Sequence, residues 1–251
     1  VGVVAARAGV AMRSVALCSA RGAPGVTTTA LLVASHLDAV MVEADLSGGV
    51  VAVRYGLGRE PGLVTLAAAN PHEPGGWLDH AQNAGGIPVL VGPDAAETAE
   101  SLWRTAGERI MGVLGRSNGT VVIDVGRIWR RPRILDAAEV ALVLARPNAE
   151  ELVAASHAVA TLNATNLDHR SAQVGVVLVG DGTYRPTEIG DSLGAPVLAH
   201  LPDDPTTAAH LRDGGTTSRS LARSRLSRAV AGLADLIDQP AAQVPDVVTV
   251  G

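Results

Sequence analysis

Short, valine-rich apolar runs recur along the chain, with mixed or amphipathic segments between them. Residues 15–19 (VALCS), 40–44, 87–91 (IPVLV), 120–125 (TVVIDV), 140–145 (VALVLA), 174–179 (VGVVLV) and 196–201 lack strict alternation. Apolar runs of this length and kind predict strands covered on both faces. Helices are predicted at 27–37, 98–114, 150–162 and, more briefly, 186–193. The segment 218–237 closes the series as an amphipathic helix, with Leu226, Val230, Leu233 and Ile237 at three- and four-residue steps. Strand alternating with helix predicts one α/β domain, a three-layer sandwich around a mostly parallel sheet of about seven strands. That domain is expected over residues 13–238, with a flexible leader at 1–12 and a flexible tail at 239–251.

Composition alters this picture in one respect. All 20 basic side chains are arginine, and the chain contains neither lysine nor phenylalanine. Schiff-base lysines, lysine general bases and lysine contacts to phosphate are therefore excluded. A GC-rich coding sequence produces the same bias, so the absence of lysine is not by itself functional. The net charge of −5 gives no general attraction to nucleic acid or anionic membrane, and any such contact needs a local patch. Cys18 is the single cysteine, cannot form an internal disulfide, and reads as a small buried hydrophobe within the first strand. No run approaches the ~18 apolar residues of a membrane span, and the first residues lack the continuous apolar core of a signal peptide. The seven histidines show no metal-ligand spacing.

The stretch richest in chemistry follows the first strand: Ser19-Ala20-Arg21-Gly22-Ala23-Pro24-Gly25-Val26-Thr27-Thr28. A Gly-rich turn between a strand and a helix points backbone N–H groups and the helix N-terminus at an anion. Such loops also carry a lysine that reaches the β- and γ-phosphates and a hydroxyl that ligates magnesium. Thr27 supplies the hydroxyl, with Thr28 beside it, but Val26 stands in the lysine position. Pro24 removes one further donor. Two readings stand at this point: an anion nest that has lost its main cation, and a tight turn that holds no ligand.

The segment Arg21 to Thr28 resembles the deviant Walker A loop of the MinD/ParA family of P-loop ATPases, Lys-Gly-Gly-x-Gly-Lys-Thr-Thr, with Arg21 and Val26 in place of the two lysines. Further segments follow in family order. Glu43-Ala44-Asp45 resembles the second-strand acidic motif, and Val121-Val122-Ile123-Asp124 resembles the Walker B strand. Leu201-Pro202-Asp203-Asp204-Pro205 is similar to the turn after the last strand. The resemblance implies ATP or ADP with magnesium as cofactors, bound weakly here. It places Arg21, Gly22, Ala23, Pro24, Gly25, Val26, Thr27 and Thr28 around the nucleotide. It gives Thr27, Asp45 and Asp124 to magnesium, partly through water, with Asp45 orienting the attacking water if the site is active. Arg21 stands where the family's second lysine reaches across a homodimer to the partner's phosphate. Val179 or Gly180 falls near the position of an adenine-recognising asparagine.

Loops with a residue other than lysine at position 26 look most like the TadZ/CpaE branch. That branch implies a localisation factor for pilus or secretion machinery, in the cytoplasm and peripheral to the inner face of the membrane. A working ATPase in partitioning or positioning is the alternative, as is a DNA-binding partition protein. The segment 127–133 (RIWRRPR) follows Asp124 and offers Arg127, Trp129, Arg130, Arg131 and Arg133 as a contact patch for protein, DNA backbone or acidic lipid. A solvated loop whose arginines pair with neighbouring carboxylates accounts for it equally well. Arg219, Arg223, Arg225 and Arg228 give the last helix a basic half, expected to accompany packing on the sheet rather than membrane binding.

Overall fold

In a computed structural model, residues 13–21, 24–69, 76–115, 119–164, 172–216 and 221–239 are described. The leader at 1–12, the tail beyond Gln239, and Gly22 and Ala23 of the turn lie outside them. Eight strands form one sheet: β1 (Arg13–Ser19), β2 (Val40–Glu43), β3 (Gln82–Ala84), β4 (Ile87–Leu90), β5 (Thr120–Arg127), β6 (Val140–Ala145), β7 (Gln173–Val179) and β8 (Val197–Leu201). Their order is β3-β4-β2-β5-β1-β6-β7-β8. Every pairing is parallel except β3 with β4. The extra strand relative to the expected seven is β3, a polar Gln-Asn-Ala edge strand too short and too hydrophilic to show an apolar run.

The helices are α1 (Val26–His36), α2 (Val51–Tyr55), α3 (Leu63–Ala68), α4 (Ala96–Gly115), α5 (Ala149–Ala164), α6 (Pro186–Leu193), α7 (Pro205–Arg212) and α8 (Arg225–Asp238). The strand period divides the core in two. On one face Ala16, Cys18, Val42, Ile123, Val143 and Leu178 meet the buried sides of α3, α4, α5 and α6. On the other, Val15, Leu17, Met41, Val122, Leu144 and Val177 meet α1, α2, α7 and α8. These are the three expected layers. In α1, eight of 11 residues are buried, because it lies between the sheet and α8.

One helical expectation is corrected, and one helix is unexpected. The last helix begins at Arg225, after Ser224 accepts a hydrogen bond from the Ser227 N–H, and a separate short turn occupies Leu221–Arg223; residues 218–220 of the expected helix, Arg219 among them, lie outside the described residues. The turn after β8 is followed by α7, with Pro205 in its first turn and Asp204 accepting from the Thr207 N–H. Leu226, Val230, Leu233 and Ile237 of α8 are buried while Arg225 and Arg228 stay exposed, so this helix packs as expected of an amphipathic element.

Candidate functional site

The site is built at the C-terminal ends of the central strands. β1 lies between β5 and β6, and its chain leaves the sheet at Ser19 to enter α1 through the Gly-rich turn. A crevice at this position is where open α/β sheets hold ligands. Gly25 precedes α1 with a φ of 87°, a left-handed conformation that favours glycine, and its carbonyl accepts from the Thr29 N–H at 2.8 Å.

Register brings the acids together. Glu43 is the partner of Asp124 across the parallel β2–β5 pair, so both side chains leave the same face. That face also carries Met41 and Val122, and is the one covered by α1. Asp124 is buried, and accepts hydrogen bonds from the Thr27 hydroxyl and, at 3.0 Å, from the Gly126 N–H. Burial pushes its carboxyl up to about 7, reinforced by the charges of Glu43 and Asp45 and opposed by those two hydrogen bonds.

Glu43 is equally buried but differently employed. One oxygen accepts from the Val50 and Val51 N–H groups at 2.6 and 2.8 Å, and the other from the Gly92 N–H at 3.0 Å. It therefore ties the end of β2 to the start of α2 and to the loop after β4. Burial raises its carboxyl too, with the backbone donors and Arg54 pulling the other way. Asp45 accepts from the Ser47 N–H at 2.7 Å; desolvation raises its carboxyl as well, opposed by the Ser47 hydrogen bonds and the charge of Arg127. Gly126, at a φ of 64°, leaves room for this carboxylate, since a Cβ there would collide with it.

The basic residues are placed otherwise. Val26 is 7% exposed and packs into the apolar face shared by α1 and α8. Arg21 is 62% exposed and pairs with Glu150 at the start of α5, 3.3 Å away. Thr28 and Thr29 are buried at the first turn of α1. With Pro24 and Gly25 they line a pocket of about 90 Å³ to which Pro202 and Asp203 also contribute. Val179 reaches this pocket, while the Gly180 carbonyl is occupied by the His200 ring at 2.8 Å.

In the segment after Asp124, Arg130 pairs with Glu100 at 3.0 Å, Arg133 with Glu108 at 2.8 Å, and Arg131 with Asp136. Trp129 is 55% exposed beside a hollow lined by Ala20, Ala154 and His157. Sequence reasoning missed the backbone-pinning role of Glu43, whose only signal is the Gly48-Gly49 pair that lets the chain fold back onto it. Among the described residues no group of three or more His, Cys, Asp and Glu side chains is arranged to hold a metal ion, and no helix is long and apolar enough to cross a membrane.

A parallel sheet with this strand order, flanked by helices and entered through a Gly-rich β1–α1 turn, defines the P-loop fold of the MinD/ParA type. Solved structures agree. MinD of Pyrococcus horikoshii, a septum site-determining protein complexed with Mg-ADP, superposes with a TM-score of 0.73 and 18% identity over 91% of this chain and 96% of that one. A ParA family ATPase from Chlorobium tepidum gives a TM-score of 0.72 and 18% identity, covering 89% of this chain and 98% of that one. The MinC:MinD cell division complex of Aquifex aeolicus gives 0.66 and 13%, over 89% and 94%. No family model matches the sequence, and no match was found among curated proteins. At these identities the likeness establishes the fold.

Proposed function

We propose that this chain is a MinD/ParA-like protein with a degenerate nucleotide site. In this reading it binds adenine nucleotide weakly, hydrolyses it little, and works as a dimeric localisation or scaffold factor. Its setting is the cytoplasmic face of a membrane-associated machine such as a pilus or secretion assembly. The observation that carries the reading is Val26, an apolar side chain directed into the core where a phosphate-binding lysine stands in active P-loops.

Weak binding retains physical support. Thr27 and Asp124, already hydrogen-bonded to each other, are the hydroxyl and carboxylate that a magnesium ion of this fold uses, and hard oxygen donors suit it. Bound there, magnesium would neutralise phosphate charge, with Thr27 as its direct ligand and Asp124 and Asp45 reached through water. The buried acids lack a cationic counterweight on α1, so the raised Asp124 carboxyl fits a site waiting for positive charge. Pro24, Gly25 and Thr28, with Arg21, Gly22 and Ala23 ahead of them, complete the nucleotide side.

Titration calorimetry with Mg-ATP, together with steady-state ATPase assays, tests the proposal. The wild-type protein should show weak affinity and near-blank turnover, and Val26→Lys should bind at least about tenfold more tightly. Turnover at an ordinary P-loop ATPase level in the wild type, abolished by Asp45→Ala, overturns it in favour of a working ATPase. Arg127, Trp129, Arg130, Arg131 and Arg133 form the partner-facing edge in this reading. Arg130, Arg131 and Arg133 already pair with carboxylates of their own chain, as the solvated-loop reading expects, which weighs against a DNA backbone as their partner.

A further inference from the structure

We propose that Arg146 is a cation that holds the nucleotide's phosphate nearest the nucleoside, a charge supplied from the β6 end of a site to which α1 supplies none. The inference rests on the nucleotide-binding reading above and assigns a residue that the P-loop pattern does not contain. Among the described residues, Arg146 is the only basic side chain lining the pocket formed by Pro24, Gly25, Thr28 and Thr29. It lies just past the end of β6, the strand that neighbours β1, and so faces the turn across the crevice.

Its backbone and its head group are held very differently. The Arg146 N–H donates to the Glu151 carboxylate at 2.8 Å, and its carbonyl accepts from the Asn148 N–H at 2.8 Å. The base of the side chain is therefore fixed. The side chain is 41% exposed, and among the described residues its guanidinium pairs with the Asp203 carboxylate, whose side chain is 60% exposed, at 3.3 Å. An exposed pair of that length contributes little and exchanges readily. A phosphate is a stronger partner for the planar guanidinium, which can donate to it in bidentate fashion. Space is reserved as well: at Gly180 a Cβ would press on the guanidinium at 3.2 Å.

Asp203 is then a competitor for Arg146. Both members of the pair line the pocket, whose volume of about 90 Å³ is well below the ~300 Å³ at which small-molecule sites begin. Ligand entry exchanges Asp203 for phosphate and opens that side. Thr28 and Thr29 mark the pocket as lying behind the first turn of α1, so the phosphate concerned is the one nearest the nucleoside.

The test is calorimetric titration of wild type, Arg146→Gln and Asp203→Asn with ATP, ADP, AMP and adenosine in magnesium buffer at fixed salt. Thermal unfolding of each variant confirms that it is folded. Arg146→Gln should weaken ATP, ADP and AMP by a similar factor of about ten or more and leave adenosine unchanged. Asp203→Asn should strengthen the three phosphate-bearing ligands, a gain that a merely structural role for the pair would not produce. Wild-type binding that survives Arg146→Gln undiminished, or that falls in Asp203→Asn, overturns the assignment while leaving the nucleotide reading intact. Failure of the wild type to bind any of the phosphate-bearing ligands at millimolar concentration overturns the nucleotide reading, and this assignment with it.

Discussion

The two sides of the crevice are held by different kinds of interaction. On the β2–β5 side, Glu43 and Asp124 are buried and accept backbone N–H groups from three separate segments. On the β1–β6 side, the charged groups Arg21 and Arg146 rest on exposed single ion pairs, and the first residue of α1 is apolar. Acid geometry is thus over-determined, whereas cation geometry is free to change. The difference also has an electrostatic result. Carboxylates buried together rise in pKa where desolvation outweighs their hydrogen bonds and, for Glu43 and Asp45, the charges of Arg54 and Arg127, as all three do here. The acidic side is built as if for a positive charge that this chain's own α1 does not provide.

Removing the pin breaks the comparison most severely. Glu43→Ala leaves the N–H groups of Val50, Val51 and Gly92 without their acceptor, two of them at the start of α2. Unsatisfied donors of this kind cost ~1–3 kcal/mol each, so a loss of about 3 kcal/mol or more is expected. Urea denaturation measures it, and limited proteolysis should show new cleavage around residues 45–51. A loss below ~1 kcal/mol would mean that the acidic side is not rigid in the way its hydrogen bonds indicate.

Asp124→Asn comes next and acts in the opposite direction. The native carboxyl titrates at about 7, above the ordinary carboxylate range near 4 that applies to the unfolded chain. Between those two values the native state holds a proton that the unfolded state has released. Stability from this group therefore falls as the pH rises through that window and levels off above it. Without nucleotide or divalent metal, the wild type should be more stable at pH 5 than at pH 8 on this account. Asp124→Asn should flatten the slope and add ~2 kcal/mol at pH 8, since an amide keeps the shape without the buried charge. Parallel pH profiles for the two proteins would remove uncompensated charge as the cause.

The layers and the central strands are legible in the sequence because each valine-rich run is long enough to show its burial. The edge strand β3 is not, since Gln-Asn-Ala carries no apolar signal. Nor is α7, although Asp204-Pro205 is a sound start signal, because a two-turn helix offers too few apolar positions to show a period. The residue types at this end of the sheet are readable too, and the structure brings the Thr27 hydroxyl onto the Asp124 carboxylate. What strand periodicity cannot give is register between strands far apart in sequence. Glu43 opposite Asp124 depends on the β2–β5 pairing, and Arg146 opposite Asp203 on two strand ends brought together by β7. The direction of Val26 into the core is likewise invisible in a pattern that records only the missing lysine.

The smallest effect concerns Arg21, and it sharpens the comparison from the basic side. Its ion pair with Glu150 joins the turn to α5 across 3.3 Å, with both side chains largely in solvent. Such pairs are worth at most ~0.5 kcal/mol after screening and side-chain entropy are counted. Arg21→Ala should therefore lower stability by less than that, and a double-mutant cycle with Glu150→Ala should return a coupling near zero at physiological salt. Such a result leaves the guanidinium available for another partner, which is what a residue facing a second subunit requires. A coupling above ~1 kcal/mol would show the turn clamped to α5, and the basic side would then be as fixed as the acidic one.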